Sequence, residues 1–310
     1  MRNIIVSVFL IAISIVRAQA QEDPQFVHDM YNHVYTNPGS AGMTNGRICA
    51  DIINRNTWIG FEGAPRTTLA SVHTEVKKLK GGLGLSITDD RLGYYSDFRA
   101  KLAYSYHKQT ALGTLGIGID PGFMNRALEG AWQAPDGIDG DALIPQSPAR
   151  KMFFDLGAGV FLKKTHKYYL GLSVSHIHNP KINYSDSAAS FLRRHYYASA
   201  GYSLRLFNSP IELKPSVFIK SDGTKTQYSG NLTAQYNKKI SVGVTYRNQD
   251  AIVGMIGIEA MPDLLVSYAY ELSLSRLVTV NKGTHEIYVG YCLNLYKPPK
   301  NYKYKDVRYL

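Results

Sequence analysis

The chain has 310 residues, 35 Lys plus Arg against 24 Asp plus Glu, and a formal charge of +11. It carries 23 Tyr and 27 Gly, and after residue 20 no apolar run is long enough to cross a bilayer as a helix, which excludes a helical membrane protein. The charge points to an acidic partner or surface. Nucleic acid is disfavoured because the N-terminus carries an export signal and no basic helix comes after it.

Residues 1–20 have that signal's three parts: Arg2 in a short positive region, an apolar stretch from Ile4 to Val16, and Ala18-Gln19-Ala20 as a small-residue cleavage site. A mature chain starting at Gln21 is expected. The next stretch, "DPQFVHDMYNHVYTNPGSAG", is neither strand nor helix. Pro24, Pro38, Gly39 and Gly42 force turns, while Phe26, Met30, Tyr31 and Tyr35 call for burial. Residues 21–45 are therefore expected to fold as a partial plug into the periplasmic mouth or lumen of a barrel formed by the rest of the chain. Asp23, Asn32 and Asn37 would there bond inward-facing polar groups.

From residue 46 to residue 296 apolar and polar residues alternate with period 2. In "KKISVGVTYRN", Ile240, Val242, Val244 and Tyr246 oppose Ser241, Gly243, Thr245 and Arg247. In "HEIYVGYCLNLY", Ile287, Val289, Tyr291 and Leu293 oppose Glu286, Tyr288, Gly290 and Cys292. About fourteen such segments can be placed, an even number, with Tyr near many strand ends. This predicts an all-β fold, a closed transmembrane antiparallel β-barrel in the outer membrane. A soluble sandwich would not need an apolar face on nearly every strand.

Connections near 58–65, 88–97, 121–152, 176–194 and 273–284 read as long. Those near 76–80, 108–111, 163–166, 207–210, 237–239 and 260–263 read as short. With the N-terminus periplasmic, the short turns face the periplasm. They collect Lys77, Lys78, Lys80, Lys163, Lys164, Lys167, Lys238 and Lys239, and the basic tail 297–310 adds Lys297, Lys300, Lys303 and Lys305. This rim is either solvated among lipid headgroups or a docking face for an acidic periplasmic partner, through Lys163, Lys164, Lys238 and Lys239 above all.

The first outer loop, "WIGFEGAPRT", sets Trp58 and Phe61 among Gly60, Gly63 and Pro65, fit for lumen packing, an interfacial girdle or contact with a partner. "DGIDGD", Asp136 to Asp141, lacks the full ligand spacing of a calcium loop. His285 and Glu286 are adjacent on a strand, point to opposite faces and are expected to be structural. No nucleophile–base motif is visible, so neither an enzyme nor a cofactor or metal is expected.

Three stretches carry a resemblance: the Asp23–Gly42 run, "WIGFEGAPRTTLASVHTEV" from Trp58 to Val76, and "YELSLSRLVTVNKGTHEIYVGY" from Tyr270 to Tyr291. Together they resemble the PorP/SprF family, outer-membrane proteins of the type IX secretion system of Bacteroidetes. "NPGSAG" departs from the usual Asn-Pro-Ala-Tyr-Ala-Gly pattern of that family. The resemblance implies a non-enzymatic component supporting export or surface attachment of client proteins, gliding adhesins among them. It implies as partners a client's C-terminal domain, the translocon and periplasmic ring or peptidoglycan-binding components. Asp23, Pro24, Phe26, Tyr31, Asn37, Pro38, Trp58, Phe61 and Pro65 are the candidate partner or plug contacts. A channel for a small apolar molecule shares the architecture and is the alternative.

Cys49 and Cys292 are the only cysteines. They fall on the first and last strands, which closure makes neighbours, and both alternate with lumen-facing residues. A seam disulfide and two free lumen thiols are both open readings.

Overall fold

A computed structural model of the chain describes residues 23–128, 149–179, 181–183, 189–279 and 281–294. The proposed signal sequence, the Asp136–Asp141 loop and the basic tail lie outside the described residues.

Fourteen antiparallel strands form the wall. They are β1 (Arg47–Asn56), β2 (Arg66–Val76), β3 (Gly81–Leu92), β4 (Tyr95–Thr110), β5 (Gly113–Leu128), β6 (Ala149–Lys164) and β7 (Tyr168–Ser175), followed by β8 (His195–Tyr202), β9 (Ile211–Ser221), β10 (Thr226–Tyr236), β11 (Ile240–Arg247), β12 (Ala251–Met261), β13 (Leu264–Ser273) and β14 (Thr284–Asn294). Each strand pairs with the next, and β1 pairs with β14, so the sheet closes on itself. A short extension, Leu204–Arg205, continues β8 against β9, and between β7 and β8 in the chain Lys181–Asn183 pairs with Ala189–Phe191 as a separate two-stranded ladder. Closure removes every edge, which lipid requires because unpaired backbone groups find no water there.

Burial is inverted relative to a water-soluble protein. Outward residues such as Leu102, Ile117, Leu172, Val244 and Ile256 are exposed, Leu172 by 66%, while Asp51, Arg55, Arg99, Asp155 and Glu286 are buried inside. Such an apolar skin over a charged interior is what a bilayer-spanning barrel needs. Strand β11 shows it residue by residue, alternating exposed and buried from Ile240 to Arg247.

The strand count is as expected from the alternation, but the connection near 88–97, expected to be long, is not a loop. Those residues are mostly strand: Asp89 pairs with Phe98 and Asp90 with Asp97, leaving Gly93 and Tyr94 as the tip. Likewise β5 runs on to Leu128 and β6 begins at Ala149. A strand of 16 residues, such as β4, reaches ~54 Å, against an apolar band of about 25 Å. The backbone ladder therefore extends beyond the length an apolar band requires.

The seam joins Cys49 of β1 to Cys292 of β14 in a disulfide, at directly opposed positions with Cα atoms 4.0 Å apart. Cys292 gives its N–H to Asp263 on the β13 side, so the cysteines form a non-hydrogen-bonded pair, the closer of the two antiparallel spacings. Both lie on the lumen side, in step with Asp51 and Ile53 on β1 and with Tyr288 and Gly290 on β14.

Candidate functional site

Residues Asp23–Gly46 lie against lumen-facing side chains from most of the ring. Two short 3-10 turns, Val27–Met30 and Pro38–Ser40, break the path. Pro38 fixes its own backbone angle and has no N–H to leave unpaired, so it starts the second turn. The Asn37 side chain caps that turn, accepting from Gly39 N at 2.9 Å.

The segment begins toward the end bearing the long connections. There Asp23, 6% exposed, meets four strands or their ends. Its Oδ1 accepts from Arg99 of β4. Its Oδ2 lies 2.9 Å from His176 Nε2 and accepts from the Tyr197 hydroxyl at 2.9 Å. Its main-chain oxygen accepts from Lys220 at 2.5 Å. Burial opposes ionisation of Asp23, but Arg99, His176 and His195 hold its carboxyl well below the usual carboxylate range. Behind it, His176 Nδ1 bonds Asp155 at 2.9 Å, and Lys101 lies 3.0 Å from Asp155 and 3.5 Å from Asp120.

In the middle, Phe26 packs with Ile53, Leu69 and Tyr288, joined by Tyr31 and Tyr35. Val27 packs with Val253, Met255 and Ala269. Glu286 accepts from the main-chain N–H of Val27 and His28 and from Arg55, and contacts His28 Nδ1 at 2.7 Å. Arg55 also reaches Glu271, which Arg247 shares. Asn32 donates to Asp51 at 2.5 Å and to Ser71 at 3.2 Å. His285 lies on the opposite face, bonded to the Tyr268 hydroxyl, so the adjacent His–Glu pair is not one site.

The segment leaves toward the short-turn end on different terms. Asn37 donates to the Val160 and Leu172 carbonyls at 3.0 and 3.2 Å, and Ser105 donates to the Gly39 carbonyl at 2.8 Å. Lumen-facing glycines pave this surface. A Cβ at Gly118 would stand 2.5 Å from the Pro38 carbonyl, and one at Gly159 or Gly116 would collide with Asn37 or Gly39. The segment runs through the lumen from the long-connection side to the short-turn side.

The other candidate residues scatter. Trp58 and Pro65 line a cavity of about 710 Å³ at the long-connection end, together with Asp23, Pro24, His195, Lys220 and Arg247. Phe61 is exposed and does not pack into the lumen. Lys238 and Lys239 are exposed on the short-turn rim and Lys164 is half-buried, but Lys163 turns inward and donates to the Met43 carbonyl at 3.0 Å. Sequence pattern does not single out the charges that hold the segment: Arg55, Arg99, Lys101, Asp155, His176 and His195. The usable signal is their place on the polar face, as Asp97, Arg99 and Lys101 show at every second position of β4.

A closed barrel with an apolar skin and a charged lumen defines the class: a β-barrel protein of the outer membrane. Residues 18–291 match the family described as "Type IX secretion system membrane protein PorP/SprF", and the chain belongs to that family. No curated protein matches the chain. Among solved structures it is similar to the Acinetobacter baumannii outer membrane protein Omp33 at 8% identity and TM-score 0.47, covering 80% of this chain and 97% of that one. It is also similar to a deletion mutant of the TodX monoaromatic hydrocarbon channel, at 11% identity and TM-score 0.49, covering 85% and 94%. The KdgM porin gives 9% and 0.36, covering 78% and 98%. These likenesses concern the fold alone.

Proposed function

We propose that the chain is a closed, non-conducting member of the type IX secretion apparatus whose two ends serve different partners. The long-connection end, with Trp58 and Pro65 at its cavity, receives the C-terminal domain of an exported client, such as a gliding adhesin. The short-turn rim docks the periplasmic ring or its peptidoglycan-binding parts. The observation that carries this reading is the N-terminal segment: it is bonded to the wall along its whole length, so it acts as a plug and leaves the two ends as the working surfaces. A channel for apolar molecules is less well supported, because buried ion pairs line the lumen.

The test is the triple variant Lys164→Gln, Lys238→Gln, Lys239→Gln, leaving Lys163 at its internal bond. Exposed charges contribute about 0–1 kcal/mol each, so the loss is expected only in combination. Co-purification of periplasmic secretion components should fall, and the wild-type interaction should weaken as salt rises. Unchanged co-purification by the triple variant overturns the docking role.

A further inference from the structure

The upper anchor of the segment holds more nitrogen ligands than an ion-pair cluster needs. Asp23, His176 and His195 are all buried, and one ligand atom from each lies within 4.8 Å of the other two. Asp23 Oδ2 is 2.9 Å from His176 Nε2 and 3.8 Å from His195 Nδ1. Donors on a tetrahedral ion with bonds of 2.0–2.1 Å stand roughly 3.3 Å apart, between those two values.

The outer contact of the His176 ring fits a metal site. His176 Nδ1 bonds the Asp155 carboxylate, which leaves Nε2 aimed at Asp23. A carboxylate behind a histidine fixes its orientation and strengthens it as a ligand. His195 Nδ1, the nitrogen 3.8 Å from Asp23, also lies 3.1 Å from the Arg193 carbonyl, so to ligate an ion it gives up that contact and its proton passes to the buried Nε2, which has no partner among the described residues. The neighbouring cations take other atoms: Arg99 bonds Asp23 Oδ1, Lys220 the Asp23 main-chain oxygen, and Lys101 Asp155. Asp23 and His195 also line the large cavity, so a water can reach a fourth position.

We propose that Asp23, His176 and His195 bind a divalent transition ion of the zinc type and that the ion pins the start of the N-terminal segment to the barrel wall. Two imidazoles and one carboxylate favour zinc or cobalt over calcium or magnesium, which prefer all-oxygen sites. Binding displaces the proton shared between His176 Nε2 and Asp23 to solvent, so uptake releases a proton. The proposal stands independently of the secretion reading.

The experiment uses the full chain, folded in detergent and stripped with chelator, titrated with Co²⁺ and with Zn²⁺. One equivalent should bind, Co²⁺ should give the intense visible absorption of a four-coordinate site, and Zn²⁺ should raise the protease resistance of residues 23–36. His195→Ala, which leaves the Asp23 contacts to Arg99 and Tyr197 in place, should weaken uptake at least tenfold and abolish the Co²⁺ band. His176→Gln should do the same. If His176→Gln fails to fold, His195→Ala alone decides. Equal uptake by wild type and His195→Ala, or no uptake by wild type, overturns the site.

Discussion

The two ends of the N-terminal segment are held by opposite means. At Asp23 the grip is chemical: a buried carboxylate meets Arg99, His176 and Tyr197, beside a water-accessible cavity. At Asn37–Gly42 the grip is steric: main chain lies on main chain, and Gly116, Gly118 and Gly159 leave no room for a side chain. A charged anchor can be loosened by a partner or a proton and tightened by an ion. A glycine-paved one can be released only by moving backbone. The difference suits a segment whose upper part responds to events at the long-connection end while its lower part stays fixed.

The largest effect should come from breaking the steric end. In Gly118→Val the added carbons meet the Pro38 carbonyl, and neither backbone can yield, because β5 is locked between β4 and β6. Hydrogen exchange should show protection lost throughout residues 37–43 while the strands keep theirs. A variant that retains that protection would show the paving to be dispensable. Breaking the chemical end should cost less. Asp23→Ala leaves the buried Arg99 with only Asp97 at 3.7 Å and His176 with only Asp155, so the loss should not exceed the roughly 3–5 kcal/mol of a fully broken buried pair. Exchange should rise over residues 23–30 and stay unchanged at 37–43. Loosening of both ends together would mean that the segment is one cooperative unit and the contrast is void.

The sequence disclosed these two ends unequally. "NPG" announces a turn, and Asn37 and Pro38 could be picked out for that reason. The glycines that receive the turn read only as small residues on the polar faces of β5 and β6, because their partner is about 80–120 residues away and strand pattern carries no such pairing. Asp23 was legible as polar, but its partners Arg99, His176 and Tyr197 come from three separate parts of the chain. Two of these are on β4 and β8, and His176 sits just past β7. Alternation told which face each wall residue takes, so the barrel and the placing of both cysteines on the lumen side of its seam could be read, but not the register that sets them opposite each other. It did not tell what the lumen side chains meet, since that depends on ring closure. Lys163 shows the same limit: it belongs to a basic run, yet its position on the lumen face of β6 sends its ammonium to Met43.

Between the two anchors sits His33, and pH can sharpen the contrast there with the smallest perturbation. Its ring packs on Phe161 and Tyr169. Burial, with the charges of Lys163 and His73 nearby, pushes its pKa down from the usual 6.5 to about 3. A histidine whose folded pKa is depressed favours the docked state only while neutral. The released segment takes up the proton first, so stability is full above pH 6.5 and is lost progressively as pH falls toward 3. Between pH 7 and pH 6 the loss is under about 1 kcal/mol, growing by about 1.4 kcal/mol for each further unit. Protection factors at residues 31–37, taken relative to the intrinsic amide rate at each pH, should therefore fall between pH 6.5 and pH 5. His33→Phe, which keeps an aromatic ring on Phe161 and Tyr169, should remove that fall. Persistence of the same pH response in His33→Phe would move the sensitivity to another group and leave the middle of the segment governed by packing alone.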